Sequence, residues 1–140
     1  MQTTLQVSMP LIAALFAGIN GLFALFLSIR VVATRVKKEI EFGDGGDTAM
    51  LQTIRVQGNN AEYTALTLVI IALIEMLGAP VWALYVLGGG LTVGRLLHAQ
   101  GLSSTTGPSF GRVAGQILTF LALGLSSLYA VYLFVVDQGV

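Results

Sequence analysis

Two stretches without a charged side chain, residues 9–29 and residues 113–136, constrain this chain more than any other feature. Each is long enough to carry a helix across ~30 Å of hydrocarbon, which takes about 20 residues at 1.5 Å per residue. Within the first, only Asn20 is strongly polar. A secretory signal is the competing reading of that run, but no positive segment precedes it, the run is long for such a signal, and the basic residues follow it. The rest of the composition agrees with a membrane protein. Hydrophobic residues make up 55% of the 140 and charged residues 10%, against roughly 25% in an ordinary soluble domain. The mean hydropathy is positive.

Such a length accommodates about four spans and no separate soluble domain. We read the chain as all-α, a single membrane domain over residues 1–140 folded as a four-helix bundle. Its helices are expected at about 9–34, 48–77, 81–100 and 110–136. The segment Gly43-Asp44-Gly45-Gly46-Asp47 is turn chemistry and ends in an Asp suited to cap the second helix. Gly78-Ala79-Pro80 closes that helix and opens the third. Gly101 to Gly107 reads as a Ser, Thr and Gly loop closed by Pro108. Small-residue pairs four apart, Gly90 with Gly94 and Gly111 with Gly115, predict close helix packing. Glu75, near the far end of the second helix, is expected to reach water beside the second loop.

The seven basic residues, Arg30, Arg35, Lys37, Lys38, Arg55, Arg95 and Arg112, all fall in or beside the first and third loops. The positive-inside tendency puts those loops in the cytoplasm and both termini on the opposite side. Arg55, Arg95, His98 and Arg112 then share one membrane depth. A cationic pocket open to the cytoplasm follows, suited to an anionic water-soluble ligand and to an apolar partner arriving from lipid.

The second helix contains the strongest candidate site. Arg55, Asn59 and Glu62 stand at i, i+4 and i+7 and so share a helical face, on a segment that continues directly into apolar sequence. A cation, an amide and a carboxylate in such a place cost several kcal/mol unless they find partners or a ligand. A polar network between helices would satisfy them equally well.

Several function classes are excluded. With a formal net charge of zero there is no basic field for nucleic acid, and without cysteine there is no disulfide, thiolate metal site or thiol nucleophile. One histidine leaves only scattered carboxylates for a metal, so none is expected. His98 reads as an interface residue more than a base. The glycines 88–90 lack the Gly-Lys-Ser/Thr ending of a phosphate loop, and no Gly-x-Ser-x-Gly elbow accompanies His98. A small cation transporter would need a carboxylate in the first helix, which has none.

The run Arg55-Val-Gln57-Gly-Asn59-Asn-Ala-Glu62-Tyr63 resembles the second-helix signature of the MAPEG family, the membrane-associated proteins of eicosanoid and glutathione metabolism. Arg35, Gly94-Arg95-Leu-Leu-His98 and Arg112 are similar to family positions as well. The Phe42-Gly-Asp-Gly-Gly46 and Arg112-Val-Ala-Gly115-Gln-Ile-Leu-Thr119 segments look most like a bacterial branch. The resemblance implies a homotrimer in the bacterial inner membrane that binds glutathione between subunits. It implies Arg35, Arg55, Gln57, Asn59, Glu62, Tyr63, Arg95 and His98 as glutathione ligands. Arg112 would favour the thiolate, for transfer to a lipophilic second substrate or for peroxide reduction. A binding or scaffold protein that no longer turns over is the alternative.

Overall fold

The computed structural model describes residues 8–137, so the extreme termini assigned to the non-cytoplasmic side lie outside the described residues. Four helices follow one another, α1 Leu11–Lys38, α2 Thr48–Met76, α3 Val81–Ser104 and α4 Phe110–Asp137. There is no strand among the described residues. Helices α2 and α3 touch each other and both outer helices, whereas α1 and α4 do not meet. The bundle therefore has one side between α1 and α3 and an opposite side between α2 and α4.

Local chemistry sets the helix ends. Pro10, which cannot donate a backbone N–H, stands immediately before α1. α1 runs past the expected end near residue 34 because nothing in the basic segment 35–38 breaks it. It stops where Glu39 takes a left-handed conformation (φ 56°) and the N–H groups of Glu39 and Ile40 return to the carbonyls of Val36 and Arg35. Asp47 caps α2 as its sequence position suggests, accepting from the Met50 N–H at 2.7 Å. The same carboxylate meets the Lys38 ammonium at 2.6 Å, which pins the end of α1 to the start of α2. The Lys38 ammonium and then the Met50 amide hold the Asp47 carboxyl below its ordinary value of 3.8. The clamp is thus intact at neutral pH and is lost only as acid drives the pH through that lowered value.

Polar and apolar residues are distributed inside out. Leu15, Leu22, Phe26, Val32, Leu66, Val86, Leu125, Val131 and Phe134 are exposed, while Asn20, Asn60, Thr64, Thr67, Arg95, His98, Thr119 and Ser126 are buried. In water this arrangement would leave large apolar surface exposed; in hydrocarbon it is the stable one. α1 and α4 are long and apolar enough to span a bilayer, and α2 and α3 carry more of the buried polar groups. Across the α1–α3 contact, Asn20 Nδ2 donates to Thr92 Oγ1 at 2.8 Å. Such interhelical hydrogen bonds supply cohesion that apolar contact alone does not provide within lipid.

Glu75 departs from the sequence expectation. Instead of reaching water it is 6% exposed and accepts from the backbone N–H groups of Ile12 and Ala13 at 2.9 and 2.7 Å. The free amides and positive end of α1 are the partner that a second-helix carboxylate finds at this depth.

α3 and α4 form the closest pair, and glycines make it possible. A β-carbon at Gly94 would crowd the Gly115 carbonyl and the Thr119 hydroxyl, and one at Gly115 would overlap the His98 backbone. The expected Gly90 plays no part, since open space surrounds it. Gly101 takes its place. α3 continues through this residue to Ser104, where a loop was expected, and Gly101 lies against the Arg112 backbone nitrogen and Ser109. We expect Gly115→Val to destabilise the protein by about 1–3 kcal/mol through overpacking. Gly124→Val, at a position with open space around it, should leave the melting temperature in detergent unchanged. Equal melting temperatures for both variants would contradict this packing.

Candidate functional site

A cleft of about 800 Å³ opens between the first half of α2, the end of α3 and the start of α4. Its polar lining includes Gln52, Arg55, Asn59, His98, Arg112 and Gln116. Leu51, Leu102, Val113, Ile117 and Phe120 supply an apolar wall. Val113, Ile117 and Phe120 recur at helical spacing along α4, so the apolar stripe runs inward from the cationic mouth.

Arg112 stands at the mouth because of how α4 begins. Ser109 Oγ accepts the Arg112 N–H at 3.3 Å, and one guanidinium nitrogen donates to the Thr106 and Gly107 carbonyls at 3.3 and 3.4 Å. His98 Nδ1 lies 2.9 Å from the Arg112 carbonyl, which can only accept, so Nδ1 carries the proton and donates. His98 thereby fastens α3 to the first turn of α4 and is a positioning residue for Arg112. Gln52 performs a similar service from α2, donating to the Leu102 carbonyl at 2.6 Å.

Arg95 is the least expected occupant of the interior, with no exposed surface. Its guanidinium donates to Asn59 Oδ1 at 2.6 Å and to Thr119 Oγ1 at 3.2 Å, and it lies 5.9 Å from the centre of the Tyr63 ring. Its Nε has no partner. Among the described residues no carboxylate comes within 4 Å of it, since the ion pairs are Lys38–Asp47 and Arg55–Glu62. A buried cation held by neutral acceptors places a positive field directly behind Asn59 and the cleft.

The other expected ligands are distributed differently. Arg55 and Glu62 do share a face, their side chains 3.5 Å apart and about half exposed. Glu62 and Tyr63 lie along α2 beyond the cleft lining, and Tyr63 packs edge-on against Phe120. Gln57 is half-buried on another side of α2 and does not line the cleft. Arg35 also lies away from it, donating to the Gly43 carbonyl of its own loop at 2.9 Å.

Sequence reading missed Gln52 and Gln116, although both spacings were available. Gln52 is three residues before Arg55 and Gln116 four after Arg112, each on its neighbour's helical face. Gln116 Oε1 is buried at the cleft without a hydrogen-bond partner, a free acceptor facing a site rich in donors.

Fold and site define a small multi-span membrane protein whose cationic cleft is continuous with an apolar wall. The MAPEG family profile matches residues 13–132, and the chain belongs to that family. It is an integral membrane protein. It is similar to the inner membrane protein YecN of Escherichia coli strain K12, with 34% identity over 91 residues, or 65% of this chain and 70% of that protein. YecN of Escherichia coli O6:H1 is similar to the same extent.

The unneutralised charge of Arg95 has a consequence for stability. Apolar groups of similar volume often replace a buried ion pair without loss, and Arg95→Met strands no countercharge among the described residues, whereas a cavity costs stability. We expect Arg95→Met to stay within about 1 kcal/mol of the parent and Arg95→Ala to lose about 2–5 kcal/mol, as measured by thermal unfolding in detergent. If Met proves as damaging as Ala, the cation itself holds the bundle together.

Proposed function

We propose that this chain is a glutathione-dependent transferase or peroxidase of the bacterial inner membrane, acting on lipophilic electrophiles as a homotrimer with its termini away from the cytoplasm. One observation carries the reading. Arg55 and Arg112 arrive from different helices at one cleft, backed by the buried Arg95, and the cleft's far wall is apolar.

Glutathione suits this donor set. It presents two carboxylates, one ammonium and a thiol; arginine clamps carboxylates through paired hydrogen bonds, and Glu62 beside Arg55 offers an acceptor for the ammonium. Gln116 Oε1 offers a further acceptor at the cleft. Arg112, in the first turn of α4, adds its charge to the positive helix end and favours the thiolate over the thiol. The thiol proton leaves to water, and the thiolate attacks an electrophile resting on Val113, Ile117 and Phe120. With an aryl halide a carbon–sulfur bond forms as halide departs.

The Arg55–Glu62 pair supports assembly. Glu62 lies about 21 Å along α2 from Thr48, too deep for its half-exposed carboxylate to face lipid at low cost. A neighbouring subunit placed there would cover the pair and complete the site. A scaffold reading finds support in Asn59, whose side-chain oxygen is already engaged by Arg95 within one protomer.

Calorimetry with reduced glutathione on the detergent-purified protein tests the binding claim. Arg55→Ala and Glu62→Ala should each weaken binding roughly 10- to 100-fold, as expected for loss of a charged hydrogen bond, with assembly intact by size-exclusion chromatography. Dissociation of the assembly in these variants would favour the packing role. Arg112→Ala should bind glutathione nearly as well as the parent but lose most of the ultraviolet absorbance of bound thiolate; unchanged absorbance would remove Arg112 from the chemistry.

A further inference from the structure

A second groove, of about 420 Å³, lies on the side of the bundle opposite the glutathione cleft, between α1 and α3. Phe23, Phe26, Leu27 and Leu96 make its apolar floor, and Arg30 and Ser103 stand together on its wall. Arg30 belongs to no part of the cleft described above. Its guanidinium is 5.9 Å from the centre of the Phe26 ring and 3.4 Å from Ser103 Oγ, and it has no carboxylate partner among the described residues. The volume falls within the range of small-molecule sites.

Depth identifies the kind of occupant. Arg30 is about 28 Å along α1 from Leu11, close to the full hydrocarbon thickness, so its charge lies at the headgroup level of one leaflet. The apolar floor runs from there toward the bilayer interior, as Phe26 and Phe23 precede Arg30 by one and two helical turns. A cation and a hydroxyl at headgroup depth, above an apolar channel directed at the bilayer centre, are complementary to an anionic amphiphile aligned with the lipids. Arginine favours phosphate because its fork of donors matches two phosphate oxygens.

We infer that this groove binds one anionic phospholipid per chain, its phosphate on Arg30 and Ser103 and an acyl chain against Phe23, Phe26 and Leu96. The Phe26 ring beside the guanidinium adds a cation–π contact that favours the cation at the groove. The groove shares no lining residue with the cleft, so its occupancy does not require glutathione.

The test places the purified protein in nanodiscs with equal phosphatidylglycerol and phosphatidylcholine, extracts it with mild detergent and counts retained lipid by native mass spectrometry. One phosphatidylglycerol per chain is expected, favoured roughly tenfold over phosphatidylcholine, whose phosphate bears a quaternary ammonium that opposes the Arg30 charge. Arg30→Gln should abolish the preference. Leu96→Trp, which fills the groove from a position 47% exposed, should abolish retention without lowering the melting temperature. Equal retention of the two lipids by the parent, or unchanged retention in both variants, would overturn the assignment. Oleate outcompeting phosphatidylglycerol in the same nanodiscs would overturn the phosphate.

Discussion

A fully buried guanidinium with no carboxylate beside it among the described residues is the constraint around which this bundle is arranged. Arg95 sits on α3, the helix with the closest neighbour contacts, and its donors reach α2 through Asn59 and α4 through Thr119. Thr119 in turn donates to the Gly115 carbonyl, at the point where glycines let α3 and α4 approach. The tightest packing and the strongest uncompensated charge therefore share one location. A cation desolvated to this degree is costly, and the cost falls when an anion binds nearby. The cleft on the other side of Asn59 is where such an anion would lie.

The surrounding structure keeps that cleft in shape from three directions. His98 ties the end of α3 to the first turn of α4, Gln52 ties α2 to the Leu102 carbonyl, and Ser109 caps the turn that carries Arg112. At the opposite end of the bundle Glu75 closes the open amides of α1. Apart from Asn20 Oδ1, Arg95 Nε and Gln116 Oε1, the buried side-chain polar groups among the described residues have partners inside the protein, which leaves the outer surface free to be apolar.

Much of this could be read from the chain, and the exceptions have physical reasons. Charge-free runs give the outer helices, because hydrocarbon imposes a length and a composition on a span. Asp47 could be placed as a cap because turn residues precede it and a helix follows. Glu75 could not be placed, because its partner is the start of α1, far away in sequence and invisible to any local pattern. The glycine seam was half legible: spacing identifies Gly94, Gly111 and Gly115, but only the rotation of α3 shows that Gly101 faces α4 and Gly90 does not. For the site, helical spacing joins Arg55 to Glu62. It does not reveal that Arg95 turns inward to Asn59, or that Arg35 is engaged by its own loop, because those choices depend on which acceptors the folded chain presents.

The most direct measurement is a structure of the detergent-purified protein with reduced glutathione. The account predicts one tripeptide per cleft, a carboxylate on the Arg55 guanidinium and the sulfur closer to Arg112 than to any other cation. Glutathione bound with its sulfur remote from Arg112, or absent from the α2–α4 cleft at saturating concentration, would contradict it.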